Sequence, residues 1–200
     1  MNNENNTLRW RFDVSTFRLI GRDLITDRVT ALFELIKNCY DANATEVSVT
    51  FENVGKINEE SVITIKDNGI GMSFDDIRDK WMVIGTSSKR RNPLSPSPFL
   101  RRCVGEKGIG RFAVDKLGDQ LNIITKQAGT KTWLNIYIDW REYFNQLNDK
   151  SADIRLFTEI DNTYNFVPAK DVQTSGTTLK VTQARKSIAR YGTEEPTKSN

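Results

Sequence analysis

Apolar residues recur at intervals of three and four between Asp23 and Cys39, and this period predicts an α-helix. Either Thr26 or Asp27 can cap its first turn, because a side-chain oxygen there can accept a free backbone N–H. The apolar positions of the pattern are Leu24, Ala31, Leu32, Leu35, Ile36 and Cys39. The chain is therefore expected to place a helix with one core-facing side near its start.

Alternation of period two follows this helix and predicts strands. In EVSVTF, the residues Val47, Val49 and Phe51 share one face, and SVITIKD alternates in the same way. Three further segments, LNIITK, TWLNIYID and TTLKVT, alternate later in the chain. The sequence thus predicts at least five strands.

Three shorter helices are predicted among these strands. Ser73 is a candidate cap for a helix over 73–84, another helix begins within 108–117, and WREYFNQL favours a helix after TWLNIYID. Strands that follow one another in runs, with unevenly interspersed helices, indicate a mixed, largely antiparallel sheet with helices on one face. The predicted fold class is α+β, a two-layer sandwich.

The folded part is expected to be one domain over residues 9–183. Residues 1–8 are rich in asparagine and residues 184–200 lose the apolar periodicity, so we predict a flexible start and a tail or shortened linker. Between Gly85 and Gly105 lies a connection with three of the five prolines and five basic residues. A passive connection of this length is uncommon, so it is interpreted as a lid, with a disordered insertion as the alternative.

The composition excludes some kinds of catalytic and metal site, but it does not identify a binding partner. The 200 residues are 38% hydrophobic and 28% charged, which is enough for one substantial core. A net charge of +3, from 29 basic and 26 acidic residues, gives no support for DNA as a partner. The sequence has no histidine, which excludes histidine-ligated zinc and histidine-based proton relays. Any general base must be a carboxylate or a lysine.

Two further observations concern the cellular location of the protein and its cysteines. No stretch approaches the roughly 18 apolar residues of a transmembrane helix, and the polar start MNNENNTLRW lacks a signal-peptide core. Cys39 and Cys103 lie far apart, without the spacing of a metal site. The sequence therefore predicts a soluble, cytoplasmic protein with no membrane partner.

Two glycine clusters flank the predicted lid. In DNGIGM, Gly69 and Gly71 allow a positive φ or a close approach to a ligand, with the Asp67 carboxylate at the mouth of the turn. GEKGIG at 105–110 precedes a predicted helix whose free N–H groups suit phosphate oxygens. Each cluster alone also fits an ordinary turn. Neither has the spacing of the dinucleotide-binding fingerprint or of the Walker A loop, so a bound nucleotide needs another type of site.

A polar stripe runs along the predicted first helix. Glu34, Asn38 and Asp41 are spaced by four and three residues, so they share one side, while apolar positions cover most of the other. For one helix alone, a solvated face is the simpler interpretation. Acid, amide and acid are nevertheless the oxygen groups that Mg²⁺ and a water molecule need. A carboxylate one turn away can also take a proton from an attacking water.

These elements occur together and in order, and the sequence resembles the GHKL superfamily of ATPases over roughly residues 20–182. That superfamily includes DNA gyrase B subunits, the ninety-kilodalton heat-shock chaperone, sensor histidine kinases, MutL and the MORC proteins. ELIKNCYDA is similar to its N-box, DNGIGM to the next box, GEKGIG to its glycine-rich box and SGTTLKV to its last strand motif. The chaperone and MORC branches look most similar. The resemblance implies the Bergerat fold with ATP and Mg²⁺ as ligands.

The resemblance also implies roles for individual residues. Glu34 would be the general base, Asn38 the Mg²⁺ ligand and Asp67 the acceptor for the adenine amino group. Thr177 would support Asp67 through a water, and Asp41 would be structural or water-mediated near the adenine. The other implied nucleotide-binding positions are Ala42 in the N-box, Gly69, Gly71 and Met72 around the base, and Lys89, Gly105, Lys107, Gly108, Ile109 and Gly110 at the phosphates.

Three functions stay open on the sequence. The first is Mg²⁺-dependent ATP hydrolysis, in which lid closure drives a conformational change or homodimerisation through regions outside this chain. The second is a nucleotide-binding regulatory module with little turnover, and the third is a protein kinase that phosphorylates a partner. Sensor kinases fit less well, because they need a phosphoacceptor histidine. Several relatives complete their site with a basic residue from a following domain, which predicts weak hydrolysis by this chain alone.

Overall fold

The computed structural model describes residues 12–14, 16, 27–54, 60–84, 93–105, 112–144 and 156–184. These residues form an α+β sandwich of a six-stranded sheet with helices on one face, as predicted. The helices are α1 (Arg28–Asp41), α2 (Phe74–Asp76), α3 (Ala113–Leu117) and α4 (Arg141–Phe144). The strands are β1 (Val47–Glu52), β2 (Val62–Asp67), β3 (Gly118–Lys126), β4 (Thr132–Asp139), β5 (Thr163–Pro168) and β6 (Gly176–Ala184).

The strands are ordered β1-β2-β6-β3-β4-β5 in the sheet. Every neighbouring pair of described strands is antiparallel, which agrees with the predicted mixed, largely antiparallel sheet. The last strand in the chain, β6, lies between β2 and β3. This insertion aligns the ends of three strands that are distant in sequence.

The sequence pattern does not predict β5, which forms one edge of the sheet. Tyr164 and Phe166 lie opposite the buried Ile136 and Leu134 of β4. All six residues of β5 are nevertheless exposed, and the strand has a neighbouring strand on only one side. Tyr164 and Phe166 do alternate with the polar residues Thr163 and Asn165, but this alternation ends at Val167 and Pro168, so the period-two signal is short.

The longest described helix, α1, begins after one of its two candidate caps. The Oδ1 atom of Asp27 accepts the Thr30 N–H at 2.8 Å, which satisfies a donor that has no partner within the helix. The predicted start at Asp23 lies outside the described residues. The buried residues of α1 are Ala31, Leu35, Cys39 and Asp41. None of the described helices is long and apolar enough to cross a membrane.

The helix predicted over 73–84 is shorter and less regular than its pattern indicates. Ser73 caps it as predicted, because its Oγ accepts the Asp76 N–H at 3.0 Å. Only one turn is α-helical, and a π-helical turn follows over Ile77–Trp81. The Met82 N–H closes that turn on the Ile77 carbonyl at 2.8 Å, so the helical segment ends before residue 84.

The core lies between the helices and one face of the sheet. Alternate residues of β2, β6 and β3 face this core in matching rows, so the centre of the sheet is a rigid support for whatever lies at the strand ends. The apolar side chains with no more than 1% exposure are Ala31, Leu35, Ile63, Ile65, Val114, Ile123 and Val181.

Candidate functional site

Three polar side chains at the ends of β2, β6 and β3 form one row. Asp67 pairs with Thr177 across β2 and β6, and Thr177 pairs with Thr125 across β6 and β3. Strand alternation places all three on the helix-facing side of the sheet, in line with the core rows. Their exposures are 8%, 9% and 0% in that order. Buried polar groups need defined partners, so this row is organised by its neighbours rather than by solvent.

The Asp67 carboxylate is held by the turn that follows it. Its Oδ1 accepts the Gly69 N–H at 2.8 Å. Burial raises the pKa of Asp67 above its ordinary value, although hydrogen bonds from Gly69, Cys39 and Thr177 act in the opposite direction. Burial, followed by the nearby charge of Asp67, raises the pKa of the Cys39 thiol to about 12. A protonated thiol therefore lies beside the carboxylate.

Gly69 and Gly71 are required by close approaches of the backbone. A Cβ on Gly69 would lie 2.5 Å from the Ala42 carbonyl oxygen, and a Cβ on Gly71, whose φ is +68°, would lie 1.9 Å from the Lys126 carbonyl oxygen. The Ile70 N–H donates to the same Ala42 carbonyl at 2.9 Å. The turn is thus packed between the end of α1 and the end of β3. A contact of these glycines with a base stays a prediction.

Thr125 belongs to this site, although none of the sequence motifs includes it. Its Oγ1 accepts the Met72 N–H at 2.9 Å, and it lies 3.0 Å from the Thr177 Oγ1 and 3.2 Å from the Gly176 carbonyl oxygen. Threonine is common in strands, so the residue type is not a signal. The available signal was its register, because it follows Leu121 and Ile123 at the inward-facing positions of the strand.

Asn68 is a second residue that the motif interpretation overlooked. Its Oδ1 accepts the backbone N–H groups of Thr45 and Glu46, both at 2.9 Å. Its Nδ2 donates to the Thr45 Oγ1 at 2.8 Å. These bonds fasten the DNGIGM turn to the segment that follows α1.

The polar stripe of α1 is present as predicted, with Glu34, Asn38 and Asp41 on one side of the helix. Glu34 and Asn38 are both half-buried. The Glu34 Oε1 accepts from the Lys37 Nζ at 2.7 Å, and the Glu34 side chain is 30% exposed. Lys37 is a neighbour that the motif interpretation omitted. The stripe therefore presents a carboxylate, a paired ammonium and an amide at the boundary between core and solvent.

Asp41 is buried and holds the end of the predicted lid. Its Oδ1 accepts the Val104 N–H at 2.8 Å, and its Oδ2 accepts the Gly105 N–H at 3.1 Å. The resemblance implied a structural or water-mediated role near the adenine, and these two bonds identify a structural contact with the lid. Because Gly105 opens the GEKGIG segment, Asp41 connects the N-box helix to the predicted phosphate-binding turn.

The described part of the predicted lid is a hairpin fastened to the end of α1. Backbone hydrogen bonds join residues 93–95 to residues 101–103. Asn43, which is buried and has φ of 63°, donates from its Nδ2 to the Pro96 carbonyl at 2.6 Å. The Oδ1 of the same residue accepts from the Ser95 Oγ at 2.5 Å. The hairpin is therefore anchored by a side chain two residues beyond the helix.

Arg101 provides a second anchor for this hairpin. Its guanidinium donates to the Ala44 carbonyl at 2.7 Å. It also lies 4.8 Å from the centre of the Tyr40 ring and 4.5 Å from that of Phe99, which are cation–π distances. The prediction of a lid now rests mainly on residues 85–92, which lie outside the described residues.

Five predicted site residues cannot be assigned contacts, because Lys89, Lys107, Gly108, Ile109 and Gly110 also lie outside the described residues. Their phosphate-binding roles stay predictions. Four of the described predicted residues, Asp41, Ala42, Gly69 and Gly105, meet at the end of α1. The Ala42 carbonyl accepts the Ile70 N–H of the DNGIGM turn, and the Asp41 carboxylate accepts the Gly105 N–H.

Comparisons with known proteins identify the family of this chain. Residues 26–165, more than half of the chain, match the family described as histidine kinase-, DNA gyrase B-, and HSP90-like ATPase. The chaperone protein HtpG of Sulfurovum sp. (strain NBC37-1) is 28% identical over 128 residues, which cover 56% of this chain and 21% of HtpG. The DNA mismatch repair protein MutL of Ehrlichia chaffeensis is 26% identical over 121 residues, or 60% of this chain and 17% of MutL.

A third relative is HgiDII of Herpetosiphon aurantiacus, by its name a candidate type II restriction enzyme. It is 32% identical over 103 residues, which cover 52% of this chain and 15% of HgiDII. The chain thus spans no more than 21% of the length of any of these three relatives.

Proposed function

This chain belongs to the family of histidine kinase-, DNA gyrase B- and HSP90-like ATPases, and on that premise we propose that it binds ATP with Mg²⁺ and hydrolyses it. The observation that carries the proposal is the meeting of separate sequence boxes at one end of α1. The DNGIGM turn bonds to Ala42, the first residue of GEKGIG bonds to Asp41, and Thr177 pairs with Asp67. The resemblance to the GHKL superfamily is confirmed by the family match.

The adenine would bind at the row of polar strand ends. Asp67 is buried and ionisable, and its Oδ1 already holds the Gly69 N–H. Its second oxygen would accept the adenine amino group, and Thr177 beside it would hold a water between the carboxylate and the base. Met72, which is half-buried against the core, would pack on the ring.

The triphosphate and Mg²⁺ would lie along the polar stripe of α1. No cluster of three or more Asp, Glu, Cys or His side chains suited to a metal occurs among the described residues. The Asn38 amide oxygen fits Mg²⁺, which in nucleotide sites commonly takes one or two protein oxygens together with phosphates and waters. When bound, the ion would neutralise charge that develops on the phosphates.

Glu34 would act on the attacking water. In the proposed reaction, the water oxygen forms a bond to the γ-phosphorus, and the bond from that phosphorus to the bridging oxygen breaks, so that ADP leaves with the bridging oxygen. Glu34 orients the water and takes its proton. Lys37, paired with Glu34, would offset the negative charge of this carboxylate beside a triphosphate.

Mg²⁺ dependence gives a direct test of this function. We expect the purified chain to bind ATP in calorimetry and to release phosphate slowly. Chelation of Mg²⁺ should weaken ATP binding but leave adenosine binding unchanged, because the ion would contact the phosphates and not the base. Lack of ATP binding would contradict the proposal. Binding without phosphate release would indicate a regulatory module, and labelled phosphate on a second protein would indicate a kinase.

We further propose that ATP closes a lid formed by residues 85–92 together with the glycine-rich box, and that closure promotes homodimerisation through regions outside this chain. The hairpin over 93–105 supports this division, because Asn43, Arg101 and Asp41 hold it to the end of α1.

Limited proteolysis with trypsin tests this division of the lid. Cleavage after Lys89, Arg90 or Arg91 should slow when Mg²⁺ and a non-hydrolysable ATP analogue are added, because closure shields the segment. Cleavage within the anchored hairpin should be slow under both conditions. Lys131, exposed in the turn between β3 and β4, is an internal control whose cleavage should not respond. Equal cleavage at 89–91 with and without the analogue would favour a passive insertion.

A further inference from the structure

We propose that Thr125 is a positioning residue for adenine recognition, acting through Thr177 and the DNGIGM turn. The inference rests on the ATP binding proposed above, and it assigns a role to a residue outside all four sequence motifs. Thr125 would not touch the nucleotide. It would instead fix the direction in which its neighbours donate and accept hydrogen bonds.

The hydroxyl of Thr125 has a limited set of partners, because its side chain has 0% exposure. A hydroxyl offers one donor and two acceptor positions. One acceptor position is taken by the Met72 N–H at 2.9 Å. The hydrogen can go either to the Gly176 carbonyl at 3.2 Å or to the Thr177 hydroxyl at 3.0 Å.

The two directions of the Thr125 hydroxyl hydrogen leave the Thr177 hydroxyl with different hydrogen-bonding roles. If Thr125 donates to the Gly176 carbonyl, the Thr177 hydroxyl must donate to Thr125 and can only accept from a ligand. If Thr125 donates to Thr177, the hydrogen of Thr177 is available to Asp67 or to a water bound beside it. The Thr125 hydroxyl therefore determines whether the Thr177 hydroxyl is a hydrogen-bond donor or only an acceptor at the proposed adenine site.

The end of β3 is also fixed from the opposite face of the sheet. Lys126 is 1% exposed, and its Nζ donates to the Val172 carbonyl at 2.8 Å and to the Thr174 carbonyl. These carbonyls belong to the loop that leads into β6. The next residue of that loop, Ser175, donates from its Oγ to the Gly69 carbonyl at 2.8 Å. The end of β3, the start of β6 and the DNGIGM turn are thus joined as one unit.

Removal of the Thr125 hydroxyl should break hydrogen bonds within this unit without changing how the side chain packs. Thr125→Val keeps the branched shape but leaves the Met72 N–H without its acceptor and the Thr177 hydroxyl without its partner. Thr125→Ser keeps the hydroxyl, so it should behave like the unmodified protein. Thr178→Val is a matched control, because Thr178 is the next residue of β6 and faces the other side of the sheet.

Calorimetry with ADP and with inosine diphosphate (IDP) separates positioning from general destabilisation. The two nucleotides differ at C6 of the base, where ADP has the amino group that Asp67 and Thr177 are proposed to recognise and IDP has a carbonyl. Thr125→Val should weaken ADP binding by about tenfold and IDP binding by less, so that discrimination between the two shrinks. Thr125→Ser should restore ADP affinity to within about twofold, and Thr178→Val should leave it unchanged. Thermal unfolding without nucleotide shows that each variant is folded at the temperature of measurement.

The outcomes distinguish this inference from the proposed function. Failure of the unmodified protein to bind ADP would overturn the proposed function and this inference with it. Binding by the unmodified protein that Thr125→Val leaves within twofold would overturn the inference alone. Equal losses for ADP and IDP, without rescue by Thr125→Ser, would overturn it in favour of a purely structural role. Thr125→Ala replaces the valine variant if the latter does not fold.

Discussion

Replacing Glu34 by alanine should abolish measurable ATP hydrolysis while leaving ATP affinity within about threefold of the unmodified protein. Glu34 is the only member of the α1 stripe proposed to act on water, and loss of a general base typically lowers a rate by about 10²–10⁴-fold. Phosphate release and calorimetric binding of a non-hydrolysable ATP analogue measure the two quantities separately. Glu34→Gln, which keeps the size of the side chain, should give the same separation.

The Glu34 variants should remain folded. Among the described residues, the contact that these variants lose is the ion pair of Glu34 with Lys37, whose side chains are 30% and 41% exposed, and exposed pairs of this kind contribute only about 0–1 kcal/mol. Glu52→Ala, at the exposed end of β1, is a control that should hydrolyse ATP normally. Hydrolysis that survives in Glu34→Ala would show that the base assignment is wrong. Loss of binding as well as hydrolysis would instead place Glu34 among the nucleotide contacts.

Replacing Asp67 by asparagine should weaken ADP binding by about 1–3 kcal/mol, which corresponds to roughly 5–150-fold. A carboxylate accepts hydrogen bonds with both oxygens, whereas an amide accepts with one and donates with the other. The Gly69 N–H would retain the amide oxygen, so the NH₂ group would face the adenine amino group as a second donor. Calorimetry with ADP measures the loss. Asp161→Asn, which changes an exposed carboxylate, is the matched control.

The pH dependence of binding should identify the same group. Because burial raises the pKa of Asp67, this carboxylate takes up a proton at a higher pH than an ordinary aspartate does. On acidification, ADP affinity should therefore begin to fall above the usual aspartate range, and Asp67→Asn should remove that dependence. Affinity unchanged by Asp67→Asn would contradict the proposed contact with adenine.

Acidification should affect folding stability through Asp67 in the opposite direction to its effect on ADP affinity. A carboxyl whose pKa is raised in the folded state favours unfolding above that pKa, and the penalty disappears as pH falls through it. Without nucleotide, Asp67→Asn should thus unfold at a temperature no lower than that of the unmodified protein near neutral pH. A lower affinity without a lower unfolding temperature would separate recognition from folding.

Local features of the fold were predicted well because their causes are local. Asp27 and Ser73 cap helices as their residue types indicate, since a capping oxygen bonds to an N–H only three residues later. The apolar period of α1 likewise reports its buried face. The prediction for 73–84 was less accurate, because a π-helical turn changes the period without changing the residue types.

Contacts between distant segments were not predictable in the same way. The motifs selected Asp41, but the Val104 and Gly105 N–H groups that it binds follow from how the hairpin packs on α1. Nothing in the residue types marked Asn43 as the anchor of that hairpin. Lys89 and the segment 106–110 stay predictions from the resemblance.

The sequence by itself determined the α+β class, the helix stripe with Glu34 and Asn38, and the family, because periodicity and short motifs are properties of neighbouring residues. Only the tertiary structure decided that β6 lies between β2 and β3. That order places Thr177 and Thr125 in one row with Asp67, although Asp67 precedes both of them by more than fifty residues. Strand pairing depends on which faces bury together across the whole sheet, so a threonine with no motif became part of the site.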